Sequence, residues 1–118
     1  MLKSLLPVAL CLGLIAPALA ADATVIAADI RARIIGHTLS GREDGRTYRE
    51  TLFANGRIKG ADDEGNYTGR WSIRKDRLCF IYDDDEEEDE WECSAVRLDG
   101  DAVTFLDPDG SEVRATLN

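Results

Sequence analysis

Tyr67-Thr68-Gly69-Arg70-Trp71-Ser72-Ile73-Arg74-Lys75-Asp76-Arg77-Leu78-Cys79-Phe80-Ile81-Tyr82 reads as two strands and the turn between them. Tyr67, Trp71 and Ile73 share one face of the first strand, with Gly69 between the two aromatics. Thr68, Arg70, Ser72 and Arg74 take the other face, the two-residue period of a half-buried strand. Gly69 leaves room there for an aromatic ring or for strand coiling. Lys75-Asp76 marks the turn, and Leu78–Tyr82 is apolar on both faces, as in a strand that is buried on both sides.

The same punctuation continues in both directions. Turn signals stand at Asp44-Gly45, Asn55-Gly56, Glu64-Gly65-Asn66, Asp99-Gly100 and Asp109-Gly110, usually 9 to 11 residues apart. They delimit strands at 37–41, 47–54, 57–62, 67–74, 77–83, 90–98, 102–106 and 111–117, with Val103 and Phe105 facing inward. Eight short strands joined by hairpins form an antiparallel meander, which closes wholly or partly into a small barrel to remove its edges. Strands this short predict an interior filled by the barrel's own side chains. Between Thr24 and Ile35 the isoleucines 26, 30 and 34 recur every four residues, Asp29 is spaced to pair with Arg33, and Gly36 suits a helix end. Ile30–Ile34 also alternates like a strand, but the helical reading is preferred, as a short N-terminal helix plugging one end of the barrel.

Met1-Leu2-Lys3 supplies a positive charge, Leu5–Ile15 an apolar core, and Ala18-Leu19-Ala20 a small-residue cleavage site. This is the pattern of a bacterial secretory signal peptide over residues 1–20, cut after Ala20, which leaves a single β-domain over 21–118 in the periplasm. The uncharged stretch from Ser4 to Ala20 is interrupted by two prolines and is too short for a span, so no membrane-spanning segment is expected after cleavage. Lipidation at Cys11 is disfavoured by the bulky Leu10 before it.

The full chain has 118 residues, 23 acidic against 14 basic, and a net charge of −9. Such a charge argues against nucleic acid as a partner. Eight acids run in a row from Asp83 to Glu90 (Asp83, Asp84, Asp85, Glu86, Glu87, Glu88, Asp89, Glu90), and Glu92 follows, so this one segment carries nearly all of the net charge. Pairing 77–83 with 90–98 around the centre of that run sets Cys79 opposite Cys93, within the reach of a disulfide in an oxidising compartment. Closing a loop of about 15 residues contributes roughly 3 kcal/mol in the chain-entropy model. The carboxylates of 83–90 are candidate calcium ligands, although the run lacks the spacing that arranges ligands around one ion. Otherwise no cofactor is expected.

No catalytic constellation emerges. His37 is the only histidine, and none of Ser40, Ser72, Ser94 or Ser111 stands in a nucleophile motif. Tyr67, Trp71, Phe80, Tyr82 and Trp91 are candidate walls of a pocket, with core packing as the plainer use of each tryptophan.

Gly36-His37-Thr38-Leu39-Ser40-Gly41, Tyr67-Thr68-Gly69-Arg70-Trp71 and Leu78-Cys79 with the later Cys93 resemble the G-x-T-x-x-G, Y-x-G-x-W and L-C…C motifs of small uncharacterised exported proteins of alphaproteobacteria. The likeness covers roughly residues 34–106. The acidic run between the cysteines and Trp91-Glu92-Cys93, where a Cys-Trp pair is usual, depart from that pattern. The resemblance implies a periplasmic β-domain and brings no activity, and a wider likeness to lipocalin-type barrels rests on architecture alone. The expectation is a non-catalytic periplasmic binding or interaction module for an unknown protein or small molecule. Its alternatives are a lipocalin-like carrier of a small apolar ligand and a calcium-responsive protein acting through residues 83–92.

Overall fold

Register and turn chemistry together close the sheet. The computed structural model describes residues 23–83 and 90–118. The predicted signal peptide and residues 84–89 of the acidic run lie outside them. One helix, α1 (Ala27–Arg33), precedes β1 (Thr38–Glu43), β2 (Arg46–Leu52), β3 (Arg57–Asp62), β4 (Gly65–Arg74), β5 (Arg77–Tyr82), β6 (Glu92–Asp99), β7 (Ala102–Leu106) and β8 (Glu112–Leu117). Consecutive strands pair antiparallel. β1 also pairs with β8 through Leu39–Leu117 and Gly41–Ala115, which makes a closed eight-stranded barrel with no free edge.

Two hairpins illustrate how local chemistry sets the register. Asp44 and Gly45 take φ of 52° and 81°, the mirror-image turn whose twist matches that of the flanking strands. β1 therefore stays paired as far as Glu43–Arg46, two residues beyond the strand end predicted at 41. Lys75 and Asp76 hold φ of 49° and 62° without a glycine. The Asp76 carboxylate accepts the Ala27 backbone N–H at 2.8 Å. This tertiary contact serves an end of α1 whose own N-cap, Ile26, makes no side-chain capping bond.

The helix closes one end of the barrel. Ile30 and Ile34 are fully buried against Leu39, Leu52, Ile58, Leu78, Val96 and Val103. Val25 N–H donates to the Val96 carbonyl at 2.8 Å, Gly36 N–H to Leu52 at 2.6 Å, and the Arg33 guanidinium to Gly100 at 3.3 Å. Burying the two isoleucines contributes about 3–6 kcal/mol on the transfer scale. On β5 and β6 Cys79 faces Cys93 in register, Cα atoms 4.0 Å apart and sulfurs bonded at 2.04 Å. Leu78 and Phe80 point inward, so this crosslink lies on the outer face of β5 and β6.

The interior is filled only in the helix half. In the other half, the inward positions of β1, β3 and β4 include Gly41, Gly60 and Gly69, over which tyrosine rings of the neighbouring strands lie, and a cavity stays open above those rings. The expectation of a barrel packed throughout is corrected accordingly.

Candidate functional site

Strand β2 reads Arg46-Thr47-Tyr48-Arg49-Glu50-Thr51-Leu52, and its inward residues are Tyr48, Glu50 and Leu52. An interior position midway along the strand thus carries a carboxylate. Glu50 is only 5% exposed. It is not left bare: the Tyr67 hydroxyl donates to Oε1 at 2.8 Å, and the Tyr82 hydroxyl donates to Oε1 at 2.9 Å and Oε2 at 3.0 Å. Phenolic donors on both oxygens suit an ionised acceptor.

Three cross-strand pairs place the phenols. Gly41 faces Tyr48, Gly60 faces Tyr67, and Gly69 faces Tyr82. A Cβ at Gly60 would stand 2.5–2.7 Å from Tyr67 ring atoms, and one at Gly41 would stand 2.9 Å from the Tyr48 hydroxyl oxygen. Each ring therefore lies across the glycine of the neighbouring strand, where any side chain would push it away. Tyr67 and Tyr82 meet edge to face with centroids 5.6 Å apart, and Phe80 makes a second edge-to-face contact with Phe105 at 5.8 Å.

Above this floor is a cavity of about 940 Å³, opening at the end of the barrel away from α1. Its walls differ by side. On β2, β4 and β5 it is lined by Glu50 and the three tyrosines; on β7, β8 and β1 it is lined by Phe105, Val113 and Leu39. Among the described residues the rim carries Glu43, Asp44, Asp62, Glu64, Glu92 and Asp107 against one cation, Arg46, which pairs with Glu64 at 2.7 Å. Asp107 also accepts hydrogen bonds from the hydroxyls of Ser94 and Ser111.

The electrostatics follow from this crowding. Burial raises the Glu50 carboxyl above its ordinary value, and the negative Glu43 adds to the rise, against the opposing pull of its two tyrosine donors. Glu43 is also raised, first by burial and then by Asp44, Glu92 and Asp107. Burial, Glu50 and Glu43 push the Tyr48 phenol up to about 12, and burial beside Glu50 raises Tyr67 and Tyr82 as well. Among the described residues Glu50 makes no ion pair.

Of the aromatics proposed as pocket walls, Tyr67, Phe80 and Tyr82 line the cavity. Trp71 sits deeper, in the core cluster, its indole N–H donating to the Phe53 carbonyl at 2.7 Å. Trp91 is on the outer wall, with the guanidinium groups of Arg70 and Arg74 at 5.7 and 4.7 Å from its ring. Asp83 is tied to Arg57 at 3.1 Å and Thr68 at 2.5 Å. Among the described residues no group of three or more His, Cys, Asp and Glu side chains is arranged to hold a metal ion. His37 lies outside the cavity, its Nδ1 3.4 Å from the Asn118 carbonyl. Again among the described residues, no helix is long and apolar enough to cross a membrane.

The sequence reading missed Glu50, Tyr48 and the rim acid Glu43 of β1 as site residues. A signal was there: Glu50 shares a strand face with Tyr48 and Leu52, opposite Arg49 and Thr51. No family model matches this chain, and no curated protein is significantly similar to it.

Proposed function

We propose that this protein is an exported, non-catalytic barrel that binds a small molecule in its open half, the lipocalin-like reading of the sequence. The observation that carries it is the cavity of about 940 Å³, within the range that encloses ligands, with a few polar groups converging on Glu50 beside an aromatic and aliphatic wall. A protein partner is the weaker reading, because Ile26 and Phe53 are the only exposed large apolar side chains among the described residues. Export rests on the signal pattern of residues 1–20, and the Cys79–Cys93 disulfide is compatible with an oxidising compartment. Native mass spectrometry of the protein purified from periplasm tests both parts. The expected result is the mass of Ala21–Asn118 less two hydrogens, plus a small molecule released on denaturation. Amide shifts confined to the cavity strands when small-molecule mixtures are added would identify the same site. A bare protein whose cavity amides respond to no compound would end the binding reading.

A further inference from the structure

Taking the cavity as a ligand site, we propose that its ligand is an amphipathic organic cation, an ammonium group carrying an aromatic or aliphatic body. Rim acidity alone would describe no more than a solvated mouth. The decisive group is lower: Glu50 is nine-tenths buried, faces the cavity, and has two phenols as partners but no cation among the described residues. A buried carboxylate without a counter-charge is costly, and the cost falls when a cation is delivered to it. Oε2 takes only the longer, 3.0 Å arm of the Tyr82 bond, which leaves it acceptor capacity for an ammonium N–H. The phenol rings of Tyr48, Tyr67 and Tyr82 border the same space, and aromatic rings favour a cation over an anion.

The remaining wall fixes the other end of the ligand. Leu39 lies beside Glu50 on the paired strand, and with Val113 and Phe105 on β8 and β7 it continues the lining without charge, so a molecule seated there is cationic at one end and apolar at the other. Among the described residues the only lining cation, Arg46, is already paired with Glu64 at the rim, so the field at the mouth attracts positive charge and repels anions.

An isostere series tests this on the mature, disulfide-bonded protein. Phenethylammonium, 2-phenylethanol and phenylacetate share a ring and differ in the charge of the head group. Each is titrated by calorimetry and by amide shifts of the cavity strands. The cation is expected to bind about ten- to a hundredfold more tightly than the alcohol, the range for a hydrogen bond to a charged group, with the anion weakest. Glu50→Gln is expected to remove that preference by weakening the cation far more than the alcohol, and the wild-type series decides the matter even if this variant does not fold. Equal or tighter cavity binding of the alcohol or the anion would overturn the cation assignment and leave the binding reading standing. No cavity response to any of the three would overturn the assignment too, and if the mixtures also give none the binding reading falls with it.

Discussion

Gly60→Ala is the smallest change that strikes the floor of the cavity. The added Cβ would lie 2.5 Å from Cζ and 2.6 Å from the hydroxyl oxygen of Tyr67, closer than real Cβ contacts come. Tyr67 must then swing away, and its 2.8 Å bond to Glu50 goes with it. Overpacking of this kind costs about 1–3 kcal/mol, and losing a hydrogen bond to a charged group costs about 1.5–3 kcal/mol, so a total of about 2.5–6 kcal/mol is expected. Urea unfolding of the oxidised protein, followed by tryptophan fluorescence, gives the number. The test of cause is a double-mutant cycle with Tyr67→Ala, which removes the ring and opens the space. The two changes together are expected to cost less than their sum by about 1–3 kcal/mol. Additive costs, within about 0.5 kcal/mol, would refute the idea that Gly60 exists to seat Tyr67.

Three further outcomes are expected. Replacing Cys79 and Cys93 by serine should lower stability by about 3 kcal/mol, the chain-entropy value for a loop of this length, read as a shift in the urea midpoint. Ile30→Ala should cost about 2–5 kcal/mol and raise amide exchange across α1 first, since that side chain is fully buried where the helix meets the barrel. The third concerns pH. The Glu50 and Glu43 carboxyls are raised above their ordinary value of 4.5, so the folded state holds more protons than the unfolded state just above that pH. Stability should therefore rise as pH falls from neutrality through the raised values toward 4.5, and Glu50→Gln should flatten part of that slope. Parallel melting-temperature profiles for the two proteins would count against a buried, ionised Glu50.

Much of this fold is local, and the local part was legible. Asp44-Gly45 and Lys75-Asp76 mark turns by backbone chemistry alone, and hairpins between such turns have little choice of neighbour. Cys79 and Cys93 lie at nearly equal distances from the centre of the acidic run, so hairpin symmetry pairs them. Closure through Leu39–Leu117 is a contact between the ends of the domain, and no turn encodes it. The site was harder to find because Glu50 is one acid among 23, marked only by the face it shares with Tyr48 and Leu52. The three glycine–tyrosine pairs become visible only when strand partners are known. Trp91 shows how residue type can mislead where position would not: it stands two residues before Cys93 and so lies on that residue's outer side.

The asymmetry between the two ends of the barrel has a consequence for change over time. The plug of α1 and the aliphatic residues around it hold the closed end without using the rim acids. Substitutions at the mouth therefore draw little on the foundation, and those at the foundation leave the mouth's chemistry in place. A chain built this way can change the charge of its mouth by a few replacements around Glu43, Glu92 and Asp107 while its scaffold persists.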